Sequence, residues 1–361
     1  MTSENLKPDI YIQWNMLREC NFSCDYCIVN ATHGIVREID IPRVVQRFDK
    51  LNKTLLIYLT GGEPFLIPNF TELVQELTKK HFIILSTNLS VVNACKKFLN
   101  TIDPGKVLEI VFSLHILERK KRGDDLNELV QLVKMFQEKG FKITGNYVAH
   151  PSFIGRIEKD IGFFGSHGIR ILPEFFWGTY NGKQYPVNKG RISYSKKDFE
   201  LITKFNPDAK TQLYNIRNSF CQAGSAGFAI NHNYEVFMCN LIPKKLGDFY
   251  GEWHVFQKVI RCINKYCNCP LNGGGAGAAA AVDKAAKGVL HRAISEKGTY
   301  SLFKSYRMIT GQTMLAGFFN RMPAVYKQAR IRLWYSVILP VALFPRNRFR
   351  RLYQLLKGHR A

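Results

Sequence analysis

Cys20, Cys24 and Cys27 stand within eight residues in the stretch "LRECNFSCDYCIVN", Leu17 to Asn30, with Tyr26 just before the last. Thiolates are soft ligands, so three this close point to metal chemistry. Two sites are open to them. With His33 they make a closed Cys3His zinc site of tetrahedral geometry. Alternatively they hold an iron–sulfur cluster, and three protein thiolates on a [4Fe–4S] cluster leave one iron open to an outside ligand. Downstream, "LTGGEPF" presents Gly61, Gly62 and Glu63. Paired glycines let backbone come close to a ligand, and a carboxylate can receive an ammonium. Ser86 and Asn88 in "STN", and Ser113 in "FSLH", add polar groups.

All of these residues sit at the ends of apolar runs. From Asp9 to about Gly178 six runs rich in β-branched residues recur: "DIYIQWNM", "TLLIYLT", "FIILSTN", "VLEIVFSLH", "FKITGNYV" and "IRILPEFFW". Segments of helical spacing separate them. "PRVVQRFDKL" has Asp40 as cap and Pro42 near the first turn. "NFTELVQELTKK" repeats apolar residues at Phe70, Leu73, Val74 and Leu77. "DDLNELVQLVKMFQEKG" repeats them from Leu126 to Phe136, and Gly140 closes it. "VVNACKKFL", with Cys95 as a plain core cysteine, and "RIEKDIGFFGSHG" complete the set. Strands separated by helices pair in parallel, because each return to the same edge needs a crossover. In such folds chemistry gathers at the C-terminal strand ends.

The CxxxCxYC spacing, followed by a GGE strand end, resembles the radical SAM enzymes over residues 9 to about 178. The resemblance implies an α/β fold, a partial (β/α)6 barrel. It implies that Cys20, Cys24 and Cys27 hold a [4Fe–4S] cluster, and that S-adenosylmethionine takes the open iron through its amino and carboxylate groups. Gly61, Gly62 and Glu63 then meet the methionyl ammonium and Tyr26 flanks the adenine. Ser86, Asn88 and Ser113 lie along the ribose and carboxylate side. In that family an electron from a donor such as flavodoxin or ferredoxin breaks a C–S bond, and the resulting 5′-deoxyadenosyl radical abstracts hydrogen from an unactivated C–H bond. Such chemistry needs no nucleophilic side chain.

A second cysteine group follows. Cys221 and Cys239 flank Gly224, Gly227 and a hairpin pattern around His232-Asn233, and "CINKYCNC" adds Cys262, Cys267 and Cys269. This resembles the auxiliary-cluster region called SPASM, or its shorter form, twitch. Five cysteines are too few for two fully cysteine-ligated clusters, so one is expected. Its expected ligands are Cys221, Cys239, Cys267 and Cys269, with Cys262 as the alternative; a structural zinc knuckle is the other reading. An auxiliary cluster can take an electron from a substrate radical, which favours dehydrogenation or oxidative bond formation. For proton transfer Glu174 is the candidate, with His115 and Glu235 also available.

The chain has 361 residues, of which 46% are hydrophobic, enough for a sizeable core. Its N-terminus lacks a secretory apolar stretch, so a cytoplasmic location is expected, where thiols stay reduced and nine cysteines are not a disulfide framework. The net charge of +23 is concentrated beyond Val282. There Leu333 to Pro345 is shorter than the about 20 residues of a spanning helix, and Pro340 interrupts it. Flanking arginines with Trp334 and Tyr335 suit peripheral contact with the inner membrane face. A helix packed on the barrel is the alternative, and no recognised nucleic-acid motif accompanies the charge. The organisation expected is a barrel over 1–180, an auxiliary-cluster domain over 181–272, a Gly/Ala-rich linker over 273–288 and a basic, helical region over 289–361. The function expected is a radical SAM oxidoreductase acting on an organic substrate. A peptide-modifying maturase and a non-catalytic, membrane-associated metal-binding protein are the alternatives.

Overall fold

Strand and helix alternate as the apolar periods dictate. The computed structural model describes residues 8–267 apart from 214–215, 218–219 and 258–259. Cys269, the 273–288 linker and the basic region lie outside the described residues. Six strands pair in parallel in chain order: β1 (Ile10–Asn15), β2 (Leu55–Thr60), β3 (Phe82–Thr87), β4 (Val107–Ser113), β5 (Ile143–Ala149) and β6 (Ile171–Phe175). The crossovers run through α1 (Ile41–Asp49), α2 (Phe70–Thr78), α3 (Val92–Thr101), α4 (Ile116–Arg122), α5 (Leu126–Glu138) and α6 (Ile157–Ser166). Asp40 caps α1 by accepting from Arg43 N at 3.1 Å, and Asp125 caps α5 by accepting from Asn127 N at 2.8 Å. Helix α4 has no counterpart in the apolar pattern. "ILERKKR" is nearly all charge, and the helix is delimited by left-handed residues, His115 before it and Gly123 after it.

Alternation along each strand divides two faces. Ile12, Trp14, Ile57, Leu59, Ile83 and Phe112 turn toward the helices and join the main core with Phe48, Leu73, Phe98 and Phe136. Cys95 is buried there, as expected of a core cysteine. The inner face carries a smaller apolar group, Tyr11, Leu56, Phe82, Ile84 and Val111. Toward the C-terminal ends it becomes polar. Tyr58 on β2 hydrogen bonds Ser86 on β3 and feels the charge of Glu174 from β6, so the sheet curves far enough for its two halves to sense each other.

Beyond β6 two hairpins follow, β7 (Gly178–Tyr180) with β8 (Lys183–Tyr185) and β9 (Val187–Asn188) with β10 (Arg191–Ile192), then α7 (Lys196–Phe205). Strand β11 (Phe220–Cys221) pairs later with β15 (Ile260–Arg261). The expected hairpin is present as β12 (Gly227–Ile230) and β13 (Glu235–Cys239), continued by β14 (Ile242–Asp248). It does not stand apart. Strand β12 pairs in parallel with β1, and the sheet becomes nine-stranded in the order β14-β13-β12-β1-β2-β3-β4-β5-β6. This pairing satisfies the N–H and C=O groups on the free edge of β1. Helix α1 fastens the join. Arg47 donates to the carbonyls of Phe249 and, at 2.7 Å, Gly251, while its guanidinium lies 4.4 Å over Trp253. Arg43 covers Tyr250 at 4.0 Å, and Phe249 packs on Phe48. Among the described residues no helix is long and apolar enough to cross a membrane.

Arg47→Ala removes charge-assisted hydrogen bonds and a cation–π contact together. It is expected to destabilise the chain by about 2 kcal/mol in urea unfolding. Arg47→Lys should recover less than half, because a point charge cannot serve two carbonyls and stack at once.

Candidate functional site

The thiol loop leaves β1 and lies directly on the end of β2. Gly62 N donates to Leu17 O at 2.8 Å, and Glu63 N donates to Glu19 O at 2.9 Å. Main chain meets main chain so closely that a Cβ on Gly62 would lie 1.9 Å from Glu19 O, and one on Gly61 would lie 2.5 Å from Leu17 O. Gly61 also holds φ at +139°, which L side chains rarely adopt. The two glycines thus serve first to seat the thiol loop, not only to admit a ligand. The Glu63 carboxylate has protein donors of its own. It is fully buried and accepts from Phe65 N at 3.0 Å, Thr87 Oγ1 at 2.7 Å and Asn88 N at 2.6 Å. Burial pushes it up to about 7 against those donors.

Asn88, at the end of β3, joins the parts. Its Nδ2 donates to Asn21 Oδ1 at 3.0 Å and points at Cys20 Sγ at 3.8 Å; its Oδ1 accepts from Ser90 N and Ser90 Oγ. Its carbonyl receives the buried guanidinium of Arg119 from α4, which also donates to Leu114 O at 2.9 Å. Burial holds that guanidinium down at about 10, with Asp124 and Glu63 opposing the shift. Neighbouring Glu118 accepts from Ser23 N at 3.1 Å and faces Cys24. The sequence offered no signal for Arg119 or Glu118 beyond a run of charge.

Cys20, Cys24 and Cys27 are half-buried free thiols. Burial raises Cys20, with the charges of Glu63 and Cys27 adding to it; burial pushes Cys24 up to about 12, with Glu118, Cys20 and Cys27 adding. The three therefore sense one another. Phe22 N donates to Cys20 Sγ at 3.4 Å, and such donors favour a thiolate. Among the described residues no three Cys, His, Asp or Glu close around a single ion. His33, the fourth zinc ligand considered, bonds Ser23 Oγ at 2.8 Å. The donor set fits a cluster.

Tyr26 is wedged between histidines. Its hydroxyl meets His115 Nδ1 at 3.0 Å, and its ring packs on His115, His150 and Phe153. Burial holds His115 down at about 4, so it is neutral and positions Tyr26. Ser113 is level with Asn146 on β5, whose Nδ2 donates to Glu174 Oε2 at 3.1 Å. Glu235 is far simpler: exposed pairing with Lys245 at 2.9 Å and Asn231 at 2.8 Å makes it a hairpin clamp.

In the second group burial raises Cys221 to about 11, and the charges of Cys262, Cys239 and Cys267 add to it; Cys239 and Cys262 are raised in the same way. Cys221, Cys239, Cys262 and Cys267 thus lie within electrostatic reach of one another.

Gly62→Ala is expected to cost about 2 kcal/mol of stability in urea unfolding, since backbone must move to admit the methyl. Gly34→Ala is the control, with its nearest atom at 3.7 Å on the flexible Glu19 side chain, and should change stability little.

Comparison with known proteins adds to this geometry. The family model for the radical SAM superfamily matches residues 14–161. The GTP 3′,8-cyclase of Synechocystis sp. is 30% identical over 36% of this chain and 42% of its own. That of Aquifex aeolicus is 25% identical over 48% of this chain and 59% of its own. The chain thus spans about half the length of these curated relatives. The solved structure of native anSMEcpe with bound AdoMet and Cp18Cys peptide aligns with a TM-score of 0.51 and 16% identity, covering 67% of this chain and 78% of that one, a likeness of fold. With the thiol loop seated on the GGE strand end of a parallel α/β sheet, residues 14–161 match the radical SAM superfamily, whose members work with a [4Fe–4S] cluster and S-adenosylmethionine.

Proposed function

We propose that this chain is a radical SAM oxidoreductase that dehydrogenates an organic substrate or closes a bond in it oxidatively. The observation that carries the reading is the three-thiol loop docked, main chain to main chain, on Gly61, Gly62 and Glu63. When bound, the cluster and S-adenosylmethionine supply one-electron cleavage of a sulfonium C–S bond and, through it, hydrogen-atom abstraction. The chain's own residues do the rest. Cys20, Cys24 and Cys27 hold the cluster, with Asn88 and Phe22 N directed at the Cys20 sulfur. Gly61, Gly62 and Glu63 are assigned to the methionyl ammonium, with the Glu63 carboxylate held by Phe65 N, Thr87 Oγ1 and Asn88 N. Tyr26 is assigned to the adenine, and Ser86 and Ser113 to the ribose and carboxylate. The rings of Tyr26, His150 and Phe153 shield this side from water.

Cys221, Cys239 and Cys267 are assigned to one auxiliary cluster, with Cys269 as the fourth ligand and Cys262 as its alternative. Such a centre supplies a one-electron acceptor for an oxidised product. The external electron donor is assigned to the flavodoxin or ferredoxin class, and the charge beyond Val282 to contact with an anionic membrane surface from the cytoplasmic side.

Replacing Cys20, Cys24 and Cys27 together by Ala should reduce 5′-deoxyadenosine formation to background while retaining about four of about eight irons. Unchanged cleavage would sink the assignment. Cys239→Ala should halve the iron content, by iron and sulfide analysis, and Cys269→Ala should do so where Cys262→Ala does not. Four irons with one zinc would turn the second group into a zinc knuckle.

A further inference from the structure

Asn146 and Glu174 stand on adjacent strands, β5 and β6, on the inner face of the sheet. The Asn146 amide is oriented by its one bond, Nδ2 to Glu174 Oε2 at 3.1 Å. With the NH2 committed there, Oδ1 faces away, and it is buried without a hydrogen-bond partner. Native interiors rarely leave such an oxygen unmet, and each exception calls for an explanation. Glu174 is equally underserved. Its one hydrogen bond comes from Asn146, and no cation pairs with it among the described residues. The groups nearby offer no relief. The Tyr58 hydroxyl bonds Ser86, and Ser113, level with Asn146, is neutral. The protein thus brings two acceptor oxygens together and supplies neither a donor nor a counter-charge.

We infer that Asn146 and Glu174 form a subsite for a cationic nitrogen group of the substrate, an ammonium or a guanidinium. A hydroxyl would satisfy the Asn146 oxygen but leave Glu174, which burial pushes up against the single Asn146 donor, with no counter-charge to hold it ionised. A cation with several N–H groups meets both oxygens and the charge at once. The inference rests on the proposed function only in calling this ligand the substrate. Glu174 then binds substrate, where sequence alone made it a candidate for proton transfer.

The test uses the reconstituted full-length chain and four probes, butylguanidine, butylamine, butanol and butyrate, with binding followed by ligand-detected NMR. Both cations should bind and the other two should not. Glu174→Gln and Asn146→Leu should each weaken cation binding by about tenfold. The double variant Asn146→Leu/Glu174→Met should bind no cation and should unfold in urea no earlier than the parent, because it removes both underserved groups together. Cation binding untouched by both single substitutions, butyrate binding as well as butylamine, or no cation binding by the parent would overturn the inference. So would a markedly destabilised double variant, since the pair would then serve the fold. Formation of 5′-deoxyadenosine by the parent chain is read separately: its absence sinks the proposed function and leaves the probe result standing.

Discussion

Two main-chain hydrogen bonds, from Gly62 N to Leu17 O and from Glu63 N to Glu19 O, are the constraint on which the site depends. The loop they seat buries Phe22 and packs Tyr26 on the core, but carries little apolar ballast beyond its third cysteine. Ile28 and Ile35, beyond the third cysteine, are 74% and 92% exposed. Its root can sit this close because two successive residues just past β2, Gly61 and Gly62, lack a side chain. Position and chemistry are thereby linked. The motif that a ligand would use is the same one that aligns the thiols.

Behind this contact lies a buried polar network running from Glu63 through Thr87 and Asn88 to Arg119. Its electrostatics are finely opposed. Desolvation pushes the Glu63 carboxyl up to about 7 and the Arg119 guanidinium down to about 10, while their hydrogen-bonded partners pull each back. An apolar replacement of the same shape would often be as stable. What the polar version adds is direction, because each oxygen and N–H admits few geometries. It ties the ends of β2 and β3 and the start of α4 into one unit at the foot of the thiol loop.

Much of this was legible in the sequence, and the reasons are specific. The six parallel strands and the helices starting at Asp40 and Asp125 show because burial imposes a period and caps require particular side chains. Cysteine spacing shows because metals demand it. The partners of those residues do not. Arg119 and Glu118 sit in a charged run that looks solvated, and only the left-handed turn at His115 folds that run inward. Asn146 is one polar residue in a strand. The pairing of β12 with β1 joins segments more than two hundred residues apart, and a four-residue run carries no mark of its partner. Glu63 was visible as a residue, but its donors Thr87 and Asn88 were not, since they come from the next strand.

The parallel pairing of β12 with β1 also bears on distance. It places the strand that feeds the first thiol group and the hairpin that carries Cys239 in one hydrogen-bonded sheet, and Asn15 at the end of β1 bonds Asn240 at 3.2 Å. Their separation is therefore set by strand register, not by a tether. A slip of one residue would move one group by about 3.3 Å along the strand and turn its side chains to the opposite face. On the proposed function, the distance between the two centres is fixed by backbone pairing, and the sheet acts as a ruler.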